Sequence, residues 1–311
     1  MPLEETYAKK AQLVMDVAPG NWWDLAPFFA DDGVYEGRPV TIENHVISCE
    51  VEIPVRVYKP EAGLPKNANA LVWFHGGAFM GGDLDMGESH YVSSEIAHLG
   101  NMVVITVDYR LCNDGVTFPA PQDDGLAAIC WVQANREALG ITGAIYTGGA
   151  SAGACLAGSV VQMLRDRKLE QVEGALLIYP VAHAGTWEFS DWQKERLAEL
   201  PPALGFPDDF RCDLNTRVMG KAIEEATGHD FPGEASYFGD LPPHFILNCE
   251  YDDLAPSGER YAQDLRRAGV LVSGYTELGV PHGHLNKIPA EVAGARNTLD
   301  NMVRFMQSRL G

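Results

Sequence analysis

"YTGGASAGACLAG", residues 146–158, is the stretch on which the reading of this chain turns. Ser151 stands among small side chains, with Gly149 two residues before it and Gly153 two after. With 32 glycines in 311 residues, a chance Gly-x-Ser-x-Gly is common enough that its surroundings must carry the reading. Upstream, "AIYTGG" (144–149) is a short apolar run of strand type. Downstream, residues 153–168 place Leu156, Val160, Met163 and Leu164 on one helical face. The serine therefore occupies a strand–turn–helix junction. Such a turn is too sharp for neighbouring side chains, so Gly149 and Gly153 keep its neck clear. The serine oxygen then stands above a helix N-terminus whose free amides favour negative charge.

Working outward, "VEIPVRVYKP" (51–60) alternates apolar and polar residues, as a strand with one covered face does. The runs "ALVWFH" (70–75), "MVVITVDY" (102–109), "ALLIYPV" (175–181) and "HFILNCEYD" (244–252) do not alternate, which suits strands buried on both faces. Helical patterns fall between them at 121–139, 153–168 and 256–268, with a last amphipathic helix carrying Val292, Leu299, Met302, Val303 and Met306. This alternation predicts an α/β fold, a doubly wound, mostly parallel sheet. Residues 1–45 and the aromatic, Pro-rich, acidic stretch 182–242 break it. They are expected to form a helical lid over a core made of 46–181 and 243–311.

A net charge of −20 argues against a nucleic-acid backbone or anionic lipid as partner. The opening "MPLEETYAKKAQLVMDVAPG" carries charges where a signal peptide needs an apolar core, and no apolar run is long enough to span a bilayer. A cytoplasmic location and no membrane partner are expected. The six cysteines show no Cys-x-x-Cys or Cys/His spacing, so free thiols are expected, with Cys155 a packing residue; no metal or cofactor is required.

A serine nucleophile needs a base and a cradle for the oxyanion. The cradle candidate is "FHGGAFMGGD" (74–83), in which Gly76 and Gly77, together with Ala152, would offer backbone N–H groups. His75 would fix this loop through backbone hydrogen bonds. The acid and base should follow the serine in the order acid, then histidine. Asp252 closes the strand 244–252 and His282 lies in "GVPHGHLN" (279–286), both at carboxyl ends of strands where such sheets place their chemistry. Asp253, as a turn or cap, and His284, solvent-facing or locally bonded, are the weaker alternatives.

With these motifs in this order, the chain resembles the hormone-sensitive-lipase-like carboxylesterases of the α/β-hydrolase fold. The resemblance runs from about residue 46 to the C-terminus. It rests on "HGGAFMGGD", "DYRLCNDGVTFPAPQDD", "GGASAGA", "LPPHFILNCEYDDLAPSGERYAQDLRRAGV" and "PHGH". It implies Ser151 as nucleophile, Asp252 as orienting acid, His282 as base and the amides of Gly76, Gly77 and Ala152 as oxyanion hole. The chain departs from the family where Ala78 replaces a third glycine, Ala150 an aspartate and Ala154 a glycine, and "RLCNDGVTF" lacks an Ala-Pro-Glu segment. These changes bear on hydrogen bonds around the serine and on pocket shape.

The expected activity is hydrolysis of short-chain carboxylic esters, small molecules entering under the lid, with an acyl-enzyme on Ser151. Ala78, Phe79, Trp187, Phe189 and Trp192, with Trp22 and Trp23 from the N-terminal segment, are the candidate substrate contacts. A retired hydrolase scaffold that only binds a ligand is the second reading; such proteins usually lose the serine or the histidine, and both are present here. Amide or peptide hydrolysis by the same residues is the third. The natural ester and the oligomeric state, a homodimer being one arrangement, are not legible.

Overall fold

Residues with no polar alternation became the centre of the sheet, because a strand covered by helices on both faces exposes neither side chain set to water. The computed structural model describes residues 1–18 and 22–308, and the side chains of Trp22 and Trp23 lie outside the described residues. Eight strands, β1 (Val40–Ser48), β2 (Glu52–Pro60), β3 (Ala70–Phe74), β4 (Val103–Val107), β5 (Ile145–Ala150), β6 (Gly174–Ile178), β7 (His244–Tyr251) and β8 (Val272–Pro281), form one sheet in the order β1-β2-β4-β3-β5-β6-β7-β8. The first two strands run antiparallel to their neighbours and the rest are parallel. The helices are α1 (Glu5–Ala11), α2 (Ala26–Phe29), α3 (Gly87–Gly100), α4 (Ala120–Ala134), α5 (Arg136–Leu139), α6 (Ala152–Asp166), α7 (Asp191–Leu197), α8 (Asp208–Met219), α9 (Ala255–Arg267) and α10 (Ala293–Gln307).

Successive residues of β3 divide the core. Val72 and Phe74 point into a cluster with Ile129, Leu156, Val160, Tyr261 and Leu265 from α4, α6 and α9. Leu71 and Trp73 point into the other, with Ile96 of α3, Leu299 and Met302 of α10, and Tyr7 and Phe28 from the N-terminal segment. Both faces are thus covered, and each fully buried Leu, Ile or Phe contributes about 1.5–3 kcal/mol by leaving water. Among the described residues, no helix is long and apolar enough to cross a membrane.

Two elements depart from the sequence reading. β1 starts at Val40, inside the stretch 1–45 assigned to the lid. It is an edge strand whose side chains are mostly exposed, Val46 at 53% and Ile42 at 45%, held by its antiparallel pairing with β2 rather than by a buried face. α3 lies where no helix was predicted. It buries Glu88, Ser89, Ser93, Ser94 and Glu95, residues that a periodicity argument assigns to a solvated face. Glu95 is matched inside by Arg38 and Arg296, at 2.8 and 2.9 Å.

Candidate active site

The turn at Ser151 is as sharp as its neighbours imply. Ser151 has φ +55° and ψ −118°, a conformation that L-residues rarely adopt and that costs roughly 1–3 kcal/mol. Its N–H donates to Ile178 O of β6 at 2.9 Å, which holds the turn against the neighbouring strand. A Cβ at Gly149 would strike the backbone of Gly153, and one at Gly153 the backbone of Phe74 and His75. The glycines are needed for that close approach, and Ser151 stands at the tip, with α6 starting at Ala152.

β7 and the loop after β8 deliver the partners. His282 Nε2 lies 2.9 Å from Ser151 Oγ, and His282 Nδ1 lies 2.8 Å from Asp252 Oδ2. The other oxygen of Asp252 accepts the Leu254 N–H at 2.9 Å. A carboxylate can only accept, so Nδ1 carries the proton and Nε2 presents its lone pair to the serine hydroxyl. Burial pushes the His282 pKa down, but Asp252, Glu88 and Asp253 together outweigh it and leave the pKa above the ordinary histidine value.

The competing residues are placed elsewhere. His284 is fully buried rather than solvent-facing, because Thr298 Oγ1 at 2.9 Å and Cys249 Sγ at 3.3 Å hold its ring inside. Asp253 does not face His282 Nδ1. Its carboxylate accepts the Phe206 N–H and its carbonyl accepts the Trp187 indole N–H at 2.8 Å, so it ties the segment carrying Trp187 and Phe206 to the end of β7. Burial, with the Asp252 charge beside it, pushes the Asp253 carboxyl up to about 7. His75 stacks on Tyr109 at 4.5 Å and meets Gly76 O through Nδ1 at 2.6 Å, while Tyr109 OH donates to His75 O at 2.8 Å. Cys155 is buried in the core.

The cradle needs a correction. The Gly76 N–H is donated to Glu88 Oε2 at 2.8 Å, so it is not available to an oxyanion. Gly77 and Ala78, at φ +112° and +55°, line the cavity beside Ser151 instead, and among the described residues neither N–H makes a hydrogen bond. Glycine spacing alone does not tell which amide of a tight loop turns inward. Glu88 is the group that sequence reasoning missed. Its Oε1 accepts Tyr179 OH at 2.8 Å and Asn286 Nδ2–H at 3.0 Å.

The cavity holds about 1060 Å³. Ser151 and His282 are at its floor, and Phe29, Phe206, Phe210 and Leu214 are among its apolar walls. Of the candidate substrate contacts, Ala78 lines it. Phe79 instead packs at 5.0 Å from Phe118 in the core. Trp187 is pinned between Asp253 O and the Arg211 guanidinium, which lies 4.0 Å above its ring. Phe189 is half-buried outside the cavity and Trp192 is 43% exposed. The reason is that α7, which carries Trp192, packs on β7, while α8 is the helix over the serine. Phe206 supplies the ring that Trp187 was expected to supply, 5.1 Å from the His282 ring. Among the described residues, no group of three or more His, Cys, Asp or Glu could hold a metal ion.

Comparison with known proteins bears on the same fold. Residues 71–286 match a family described by its alpha/beta hydrolase fold. The chain is 29% identical over 282 residues to Esterase LipI of Mycobacterium tuberculosis, covering 84% of this chain and 85% of that protein. It is 33% identical over 243 residues to Carboxylesterase NlhH of the same organism, covering 76% and 72%. The solved structure of a hyperthermophilic esterase from Pyrobaculum calidifontis superposes with a TM-score of 0.83 at 27% identity, over 99% of each chain. The motifs, the doubly wound sheet and these likenesses agree, and the chain belongs to the hormone-sensitive-lipase-like carboxylesterase family of the α/β-hydrolase fold.

Proposed function

We propose that the chain hydrolyses short-chain carboxylic esters through an acyl-enzyme on Ser151. The observation that carries this reading is the unbroken relay from Ser151 Oγ to His282 Nε2 at 2.9 Å and from His282 Nδ1 to Asp252 at 2.8 Å, beneath an apolar cavity. His282 takes the serine proton as Oγ attacks the ester carbonyl. The imidazolium so formed faces the Asp252 carboxylate. The tetrahedral oxyanion is held by the N–H groups of Gly77, Ala78 and Ala152, the last being among the first amides of α6 and without a helical acceptor. His282 returns the proton to the leaving alcohol oxygen. Water, with its proton taken by His282, then releases the acid.

The rings of Phe206, Phe210 and Phe29, rather than those of Trp187 and Trp192, are what limits the acyl group. Each methylene that fits gains up to about 0.8 kcal/mol, and one that does not fit gains nothing. With p-nitrophenyl esters from acetate to palmitate, kcat/KM should rise over roughly the first two to six carbons and then fall. A maximum at about twelve carbons or longer would show an open channel and overturn the short-chain reading. No turnover of any ester, or faster turnover of matched anilides, would overturn the esterase reading.

The base works only when neutral. Since the folded-state pKa of His282 lies above 6.5, activity is present above that pKa and is lost as pH falls through it. The acid limb of kcat/KM should therefore be centred above pH 6.5, read from a profile on p-nitrophenyl butyrate between about pH 4 and 9. A profile flat to pH 4 would remove histidine from the role of base.

A further inference from the structure

Glu88 is 2% exposed and no cation pairs with it among the described residues. It is the second residue of the 14-residue helix α3, whose N-terminal dipole favours a negative charge there. Its carboxylate draws in three groups from three parts of the fold: the Gly76 N–H after β3, the Tyr179 hydroxyl after β6 and the Asn286 amide four residues beyond His282. Asn286 is tied twice, since its Oδ1 also accepts the Glu88 N–H at 3.2 Å. Burial pushes the Glu88 carboxyl above its ordinary value, and the Tyr179 hydroxyl, the His282 charge, the Gly76 N–H and the Asn286 amide oppose that rise. The Gly76 N–H and the Asn286 NH2 can only donate and reach opposite oxygens, a geometry that suits a carboxylate rather than a carboxylic acid. There is no slack beside it, because a Cβ at Gly76 would run into Glu88 Oε2.

The Gly76 bond fixes one face of the peptide plane just before the cradle, and Tyr109 OH on His75 O fixes the other. His75 then sets the next plane through Gly76 O, and that plane aims the Gly77 N–H. The Asn286 bond holds the loop carrying His282, and the Tyr179 ring, held by its hydroxyl on Glu88, lies edge-on to His282 at 4.9 Å.

We propose that Glu88 is a positioning residue, an ionised strut that sets the oxyanion loop and the base loop in one register and places a negative charge opposite the imidazolium that forms on His282. The strut rests on the esterase reading. Its charge acts on His282 together with Asp252 and Asp253 from the end of β7, with His284 buried beside the same ring. Asp31, Asp213 and Arg217 line the cavity and are unchanged in every variant below.

The test is Glu88→Gln beside the wild type, assayed on p-nitrophenyl acetate, with folding checked by a cooperative thermal melt. The amide keeps the shape, loses the charge and turns a donor toward a donor. We expect kcat to fall about 10–100-fold with KM within about 3-fold, as for a misaimed cradle. We also expect the acid limb of kcat/KM to move to lower pH, because a charge that raised the His282 pKa is gone. Tyr179→Phe removes one donor and leaves the charge; it should cost less than about 10-fold in kcat and leave the limb where the wild type has it. A folded Glu88→Gln protein with wild-type kcat, or one whose limb does not move, overturns the strut. If Glu88→Gln does not melt cooperatively, Asn286→Ala serves instead, since it removes both bonds between Glu88 and the base loop, with the Asn286 bond to Gly283 O, and leaves the Gly76 and Tyr179 bonds to Glu88 in place. Wild-type kcat in that variant overturns the strut, and a fall at steady KM supports it. A wild type that turns over no ester refutes the esterase reading and the strut with it, which separates that failure from failure of the strut alone.

Discussion

Replacing Ser151 with alanine should lower kcat for p-nitrophenyl butyrate by roughly 10⁴–10⁶-fold and leave the thermal melt close to that of the wild type. The change removes one oxygen from a side chain at the cavity floor, whereas the turn is built by Gly149, Gly153 and the Ser151 N–H bond to Ile178 O, all of which stay. The residual rate would come from the amides of Gly77, Ala78 and Ala152 and from binding. A serine-directed organophosphonate should add one covalent label to the wild type, on the peptide containing Ser151, and none to the variant. Labelling of the alanine protein, or turnover near that of the wild type, would place the nucleophile elsewhere.

The two histidines of "PHGH" should separate cleanly. His282→Ala removes the group 2.9 Å from Ser151 Oγ and should cost about 10⁴-fold or more in kcat. His284→Ala touches neither Ser151 nor Asp252. It empties a fully buried site and leaves Thr298 Oγ1 without its partner, so its cost should appear as stability, about 2–4 kcal/mol, with kcat within about tenfold. Denaturant melts and steady-state kinetics on both variants measure the two costs. A reversal, with His284→Ala the inactive but stable protein, would exchange their roles.

Why Ser151, Asp252 and His282 could be singled out in sequence, and Glu88 could not, is a matter of what each residue's neighbours along the chain reveal. The first three sit at carboxyl ends of apolar runs, in a fixed chain order, and the serine is flanked by glycines that a sharp turn requires. Glu88 stands in "GESHYVSSEIAHLG", where polar residues dominate and the buried carboxylates of Glu88 and Glu95 are satisfied by partners far away in sequence. A window along the chain sees only their polarity. The aromatic contacts expected from 182–242 were misassigned for a related reason. Trp187, Phe189 and Trp192 have the size of pocket residues, but the Asp253 carbonyl and the Arg211 guanidinium hold Trp187 away from the serine, and Phe206 takes the place beside His282.

The sequence by itself determined the doubly wound sheet, the strand–turn–helix at Ser151 and the chain order serine, acid, histidine, because apolar periodicity and glycine sterics act between residues close along the chain. Only the tertiary structure decided which amides of 76–78 face the cavity and which rings close over the serine. Those choices depend on hydrogen bonds such as Gly76 N–H to Glu88 and Phe206 N–H to Asp253. Such bonds join segments that meet only after the sheet is assembled, and a peptide plane or a side chain turns to whichever partner the fold leaves within about 3 Å.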